Sequence, residues 1–405
     1  MAVSPVVAVE IGTSKVVVLV GELREDGHIV VVGKGEQPST GVRKGEVTDV
    51  DHAETCVHAA LGAAEENGQV TIHQVHLALS GGHIEATPNR GVIPVHSADH
   101  VVTEDDVEEV TELARAVNLS PDERKVLHSI GQLFHVDGER VGNPVGFEGA
   151  QLALDMLILH AKTSHVRTSV RLLRKLQQDV ADIAFSGLCS ALAVVTPEQK
   201  EGGVLVIDLG GGTTTYVAYA AGTFAAAGAL GLGGDHVTND IALAFNIPRS
   251  QAERLKKEAG GAMPDESARN TRVNLPPEVG YPGRTVSMAA LHTVIHLRLG
   301  EIFNLILRDI ERHGIQHQIG AGVILTGGGA HMKGILDLAA RTFRVPCAIG
   351  VPIGFIGRPQ SIEYPEYSTA AGLLRYAARA AAGQRRPSPL KGLTDMFKSA
   401  VGRRP

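Results

Sequence analysis

Val204-Leu-Val-Ile-Asp-Leu-Gly-Gly-Gly-Thr-Thr-Thr215-Tyr-Val-Ala218 is the stretch on which the reading of this chain turns. An apolar run ends on an acid, a Gly/Thr turn follows, and a second apolar run begins. Three consecutive glycines give a plain hairpin more conformational freedom than it needs. They suit a turn that brings backbone N–H groups close to an anion. The same pattern stands about two hundred residues earlier, in Val6-Val-Ala-Val-Glu-Ile-Gly-Thr-Ser-Lys15-Val-Val-Val-Leu-Val20. A third segment, Gly322-Val-Ile-Leu-Thr-Gly-Gly-Gly-Ala-His331, is again a strand running into glycines. Three such segments in this order predict an α/β protein of two related lobes clamped on ATP.

Each segment supplies candidate ligands. Gly12, Thr13, Ser14 and Lys15 in the first turn, and Gly210, Gly211, Gly212, Thr213 and Thr214 in the second, are expected to cradle the phosphates. One strand–Gly–strand hairpin is ordinary turn chemistry; the weight lies in the set. Glu10 and Asp208 are expected at the ends of buried strands, facing the cleft. Carboxylates there can hold Mg2+, usually through its waters; the alternative is a pair of structural hydrogen-bond acceptors. Glu253, Lys256 and Lys257 share one helix face at i, i+3 and i, i+4. That pattern alone is an ordinary solvated one. Its place between the second and third glycine segments makes it a candidate for the base and ribose.

Bulk properties set the class. The chain has 405 residues, enough for two to four folding units. Apolar residues make up 43%, an ordinary globular share. A net charge of −6 leaves no basic excess for phosphates, which argues against general nucleic-acid binding. Cys56, Cys189 and Cys347 have no metal-ligand spacing and suit a reducing cytosol, with buried side chains expected. Met1-Ala-Val-Ser-Pro5 has no basic region and runs straight into a strand, so no signal peptide is expected. No uninterrupted apolar stretch reaches the roughly 20 residues that span a bilayer. His73 with His76, and His292 with His296, lack an evident third ligand, and surface placement is expected.

The order of elements follows from periodicity and caps. Residues 6–35 read as three strands. Helices are expected from Asp51 to about Glu66, from Thr103 with its capping box, over Ser164–Gln178, from Ser250 and from Ser287. Residues 83–160 change character and read as an inserted α+β subdomain, with strands at Val126–Val136 and Leu152–His160 around a Gly/Pro-rich stretch. Gly383–Pro389 reads as a linker. Beyond it, Leu390, Leu393, Phe397 and Val401 fall on one helical stripe, with Lys391 and Lys398 supplying charge. Such a helix can bury its stripe in an anionic membrane surface. A disordered tail or a docked terminal helix are the alternatives, and Gly392 and Gly402 weaken helicity.

The glycine segments resemble the superfamily of actin, sugar kinases and heat-shock chaperones. Within it, Val9-Glu-Ile-Gly-Thr-Ser-Lys15, Ala78-Leu-Ser-Gly81, Asn143-Pro-Val-Gly146, Asp208-Leu-Gly-Gly-Gly-Thr213 and Leu325-Thr-Gly-Gly-Gly329 resemble the bacterial FtsA cell-division family over nearly the whole chain. The resemblance implies two actin-like lobes, with a differently placed subdomain replacing the usual upper subdomain of the first. It divides the chain into a first core (1–82, 161–200, 363–382), the insert (83–160), a second core (201–232, 319–362), an upper second subdomain (233–318), the linker (383–389) and a membrane-targeting helix (390–405). It places Gly233, Gly234 and Asp235 by the ribose, Glu253, Lys256 and Lys257 by adenosine, Gly327, Gly328 and Gly329 under it, and His331 against adenine.

The resemblance further implies actin-like filaments, contact with later division proteins, and binding of the FtsZ C-terminal tail through the upper second subdomain. Arg298 and Glu301 match positions used there; an i, i+3 surface ion pair is the simpler account. The implied location is the cytoplasmic face of the inner membrane, at the division site. Phe185-Ser-Gly-Leu-Cys-Ser-Ala191 lacks the Glu or Gln with which hydrolytic relatives orient the attacking water, so ATP binding with slow or negligible turnover is expected. The rival readings are a sugar kinase or ATPase of the same superfamily and a rod-shape or pilus-assembly scaffold. The missing catalytic acid speaks against the first, the insert against the second.

Overall fold

A computed structural model describes residues 5–24, 28–264, 270–278, 280–357 and 362–384. The first lobe opens with β1 (Val6–Ile11), β2 (Lys15–Leu23), β3 (Ile29–Pro38), the short hairpin β4 (Val42–Arg43) and β5 (Glu46–Val47), α1 (Val50–Gly68) and β6 (Gln74–Leu79). The insert follows as β7 (Glu85–Pro94), α2 (Glu104–Arg115), β8 (Arg124–Val136), β9 (Glu139–Val141) and β10 (Gln151–Lys162). The chain returns to the first lobe in α3 (Thr163–Lys175), β11 (Asp179–Phe185) and α4 (Ser186–Val194), and α5 (Pro197–Glu201) leads out of it. The second lobe holds β12 (Val204–Leu209), β13 (Thr214–Ala220), β14 (Thr223–Leu230), α6 (Gly234–Phe245), α7 (Arg249–Ala259), β15 (Arg272–Leu275), β16 (Arg284–Ser287), α8 (Met288–Arg312), β17 (Gly322–Thr326), α9 (Ile335–Phe343) and β18 (Cys347–Ile349). β19 (Phe355–Gly357) and α10 (Ser368–Gln384) close the first lobe.

Both lobes repeat one sheet plan. An antiparallel hairpin, β1/β2 or β12/β13, is extended by an antiparallel third strand, β3 or β14. A parallel strand, β6 or β17, is added on the other side. The full orders are β11-β6-β1-β2-β3-β19 and β14-β13-β12-β17-β18. Central strands of such sheets are covered on both faces, so they need continuous rather than alternating apolar character. In β12, Val204 and Val206 pack into the core shared with the first lobe, while Leu205, Ile207 and Leu209 pack into the second core. One six-residue run thus ties the two lobes together.

The insert is a separate sheet, β7-β10-β8-β9, with its own small core around Val110, Phe134, Leu152, Met156 and Ile158. The expected capping box opens α2: Asp106 N–H donates to Thr103 Oγ1 at 3.2 Å and Thr103 N–H to Asp106 Oδ2 at 2.8 Å.

Several local expectations shift. α1 runs past the expected Glu66 to Gly68 and is ended by Gln69 in the left-handed region (φ 51°). Pro248, not Ser250, is the N-cap of α7, and the Ser250 hydroxyl donates to Glu278 instead. Ser287 is the N-cap residue of α8 but makes no side-chain capping bond. α3 ends at Lys175, short of the expected Gln178, and buries Val166, Ser169, Leu172 and Leu173. The return to the first lobe also comes early. β19 pairs in parallel with β3, so residues 355–357 belong to the first sheet rather than to a second core running to 362. The linker and the helix candidate with Leu390, Lys391, Leu393, Phe397, Lys398 and Val401 lie outside the described residues.

Candidate functional site

The two glycine turns close in the same way. Gly12 N–H donates to Lys15 O at 3.0 Å, and Gly210 N–H to Thr213 O at 2.9 Å. They also touch. A Cβ on Gly211 would fall 3.3 Å from Ser14 Cβ, and one on Gly212 2.4 Å from Thr13 Oγ1. A side chain would be crowded at Gly211 and has no room at Gly212, where its Cβ would also lie 2.7 Å from Lys44 N. Both turns, the Gly327–Gly329 segment and α7 line one cleft of about 590 Å³. A cavity of about 840 Å³ lies elsewhere, between the insert and α3, lined by Arg115, Arg124, Lys125, Arg167, Arg171 and Arg174. It has neither glycine turns nor acids, so the smaller cleft is the nucleotide candidate.

Within the first turn, Thr13 Oγ1 accepts from Gly45 N–H at 2.9 Å, which leaves its own proton free to donate. Lys15 lines the cleft, but its ammonium sits 3.2 Å from Glu36 Oε1 and 3.9 Å above the Tyr367 ring. In the second turn, Thr213 and Thr215 line the cleft and Thr214 does not. Successive side chains in a strand point to opposite faces. Thr214 is buried on the other side, donating to Leu232 O at 2.8 Å.

The first turn of α6 braces the second glycine turn. Gly234 N–H donates to Gly210 O at 3.0 Å and Asp235 N–H to Gly211 O at 2.7 Å. A Cβ on Gly233 would lie 2.6 and 2.8 Å from those same carbonyl oxygens. Gly234 and Asp235 face the cleft, whereas Gly233 does not.

The acids sit behind the turns. Asp208 Oδ2 accepts from Ser190 Oγ and, at 2.9 Å, from Thr369 Oγ1. Both donors come from first-lobe helices, α4 and α10. Glu10 Oε2 has no hydrogen-bond partner among the described residues. Burial, and next the nearby Asp208 charge, push the Glu10 carboxyl up to about 8. Burial also raises Asp208, against the hydrogen bonds from Ser190 and Thr369. Two adjoining carboxyls held above their ordinary range, one with an orphaned oxygen, are chemically suited to a hard dication and its waters.

On the adenosine side, Glu253 Oε2 lies 2.7 Å from Lys256 Nζ and Oε1 lies 3.2 Å from Lys257 Nζ; Thr238 also donates to it. Burial acts to raise Glu253, but the hydrogen bonds from Lys256 and Thr238 win and hold it at about 2. Lys256 also donates to Gly234 O at 3.1 Å, so it fastens α7 to α6. Gly327, with φ +80°, brings the third segment onto the second: a Cβ there would lie 2.2 Å from Asp208 Oδ1. Gly328, Gly329 and His331 follow in a tight turn along the cleft. His331 Nε2 is 2.7 Å from Glu366 Oε2, which fixes a half-exposed ring beside the cleft.

Other predicted residues fall away from the cleft. Arg298 clasps Asp240 of α6 through Nε at 2.5 Å and Nη2 at 3.1 Å, and also pairs with Glu301. It is thus a tie between α6 and α8 as well as a surface pair. His292 is buried, not on the surface. It bonds Ala259 O at 3.1 Å, as His296 bonds Ala262 O at 2.9 Å, because the loop after α7 leaves those carbonyls unpaired.

Sequence reasoning assigns no role to Ser190, Glu366 or Thr369, and Ser368-Thr369 opening an alanine-rich helix is the one visible signal of them. Ser186, first residue of α4, faces the cleft with its hydroxyl unpartnered, and no longer polar side chain from residues 185–191 lines it.

Comparison with known proteins places the chain in a family and a fold. The family model for cell division protein FtsA matches residues 205–372, and the model for the SHS2 domain inserted in FtsA matches residues 81–160. The chain is 35% identical to cell division protein FtsA of Escherichia coli K12 over 379 residues, 92% of this chain and 90% of that one. It is 34% identical to the Pseudomonas aeruginosa protein over 372 residues, 92% of this chain and 88% of that one. Among solved structures, the PilM-PilN type IV pilus biogenesis complex aligns with TM-score 0.66 at 19% identity, covering 92% of this chain and 98% of that one. MreB5 of Spiroplasma citri bound to ADP aligns with TM-score 0.57 at 14% identity, covering 95% and 99%. The fold is therefore the actin-like one with an SHS2 insertion, and the chain belongs to the FtsA family of cell-division proteins.

Proposed function

We propose that this chain binds Mg2+·ATP between its lobes, polymerises as an actin-like filament on the cytoplasmic face of the membrane, and tethers FtsZ filaments there to assemble the division ring. The observation that carries the reading is the contact of the two glycine turns over one cleft, with Glu10 and Asp208 behind them. In this reading a bound Mg2+ supplies charge neutralisation of the phosphates. The chain's own turn amides and hydroxyls bind and orient the phosphates, and Glu253 and His331 flank the nucleoside. Asp208 already joins the lobes through Ser190 and Thr369, so a nucleotide held by both turns adds a second joint and fixes the filament-competent shape.

The remaining parts of the reading rest on sequence. Arg298 and Glu301 mark the surface for the FtsZ tail, and residues 390–405 the membrane helix. The serine at the head of α4 does not orient water as a Glu or Gln would, which supports binding with slow or negligible turnover. Liposome co-sedimentation of the full chain against one ending at Ala382, with and without ATP, tests the tether. The full chain should pellet with anionic vesicles and the shortened one should not; equal pelleting refutes the anchor. Phosphate release as brisk as a chaperone ATPase would refute slow turnover.

A further inference from the structure

Away from the nucleotide cleft, three ligand-type side chains converge where the insert joins the first lobe. Glu46 opens β5, His83 stands just before β7, and His165 lies in the first turn of α3. Their ligand atoms all lie within 4.8 Å of one another. Glu46 Oε2 is 3.5 Å from His165 Nδ1. The two imidazoles stack, centroids 4.6 Å apart and 8° from parallel. His83 is only 5% exposed, and its Nε2 has no hydrogen-bond partner among the described residues. Such an orphaned polar atom in a buried ring calls for an explanation. Gly81 supplies the room: at φ +137°, a Cβ there would lie 2.8 Å from His83 Nε2 and 3.5 Å from Glu46 Cγ.

We propose that Glu46, His83 and His165 hold a divalent transition-metal ion, zinc by the chemistry of the set. Two imidazoles and one carboxylate, with a fourth position left to water, form a zinc-type donor set. Magnesium and calcium prefer oxygen alone. Zn–N bonds near 2.0–2.1 Å set tetrahedral donors about 3.3 Å apart. Glu46 and His165 already stand at about that spacing, at 3.5 Å, and metal binding requires the His83 ring to turn out of its stack on His165. Ligation through Nε2 leaves the ring proton on Nδ1. The 3.4 Å contact that Nδ1 receives from Lys162 N–H, at the outer limit of a hydrogen bond, is then given up.

The position gives the ion a task. Both connections of the insert to the first lobe, at His83 and at His165, pass through the cluster. The third ligand is carried by the β4/β5 hairpin, whose Gly45 donates to Thr13 in the first turn. A Cβ on Gly45 would also lie 3.0 Å from Thr213 Cγ2 in the second turn. An ion there clips the two stems of the insert to the element that touches both nucleotide turns, and so fixes the insert relative to the cleft.

The test uses the full chain, stripped with chelator and then loaded with Zn2+ or Co2+. Elemental analysis after gel filtration should find one retained zinc per chain, and the cobalt form should show the visible absorption of a four-coordinate site. Glu46→Gln and His165→Ala should each weaken zinc at least tenfold and bleach that absorption, while His52→Ala, at an exposed site elsewhere, should change neither. Zinc should raise the melting temperature of the wild type and not that of Glu46→Gln. If His165→Ala misfolds by circular dichroism, His165→Asn takes its place. No retained zinc in the wild type, or unaltered retention in both site variants, overturns the proposal.

Discussion

The first and second glycine turns have one geometry and two settings. Across each, a glycine N–H meets a carbonyl three residues on, at 3.0 and 2.9 Å. The second turn is braced from behind by the amides of α6, and its acid is held by Ser190 and Thr369. Among the described residues no helix amide meets the first turn's carbonyls; Gly45 and Ser39 reach it from the side, and the Ala370 amide of α10 reaches its acid instead. Its acid, Glu10, keeps one oxygen orphaned. The second turn is thus part of the framework that joins the lobes. The first carries a buried carboxyl held up to about 8, largely by burial. A sequence repeat does not distinguish these roles, because the difference lies in what packs behind each strand.

Four measurements bear on this contrast. Gly233→Ala should have the largest effect, since its Cβ would meet two backbone oxygens at 2.6 and 2.8 Å that cannot move without breaking the turn. A loss of about 3 kcal/mol in denaturant unfolding is expected, with ATP no longer raising the midpoint. A near-neutral result would mean that the α6 brace is not structural.

Ser190→Ala comes next. It removes one of two hydroxyl donors to a buried carboxyl, which should destabilise the protein by about 1–3 kcal/mol. Thr369→Val should act alike, and the double variant should not be additive because both act on Asp208. Additive losses would show that the two hydroxyls work independently.

The first turn should show itself in pH dependence. Glu10 stands at about 8 when folded against an ordinary 4.5, so the folded chain binds the extra proton between those values. Stability without nucleotide should therefore fall as pH rises from about 4.5 to 8. Mg2+·ATP favours the charged form. Its affinity should climb toward pH 8, by at most about tenfold per pH unit, and level off above it. Glu10→Gln should abolish that slope in a fluorescent-ATP titration. A wild-type affinity flat across the range would remove Glu10 from the site.

The smallest expected change is at His331. Replacing its ring by Ala should weaken ATP by about 1 kcal/mol, roughly fivefold, if it packs on adenine. Unchanged affinity would leave it as only the partner of Glu366.

What the sequence determined by itself is local. Continuous apolar runs and glycine-bearing turns specify doubly covered strands and tight anion-ready hairpins, because strand burial and backbone freedom are properties of short segments. The repeat of that pattern predicts two like lobes, and the shift in character at residues 83–160 marks the insert. Tertiary packing decided the rest. Thr214 faces away from the cleft because of strand alternation, and Lys15 is engaged by Glu36 and Tyr367. β19 joins the first sheet because its edge at β3 was open to a parallel strand. Asp208 finds its partners 18 and 161 residues away in the chain. The meeting of Glu46, His83 and His165 is likewise set by where two stems of an insert cross a hairpin. Such contacts depend on distances in space that no window of sequence contains, and so only the folded chain decides them.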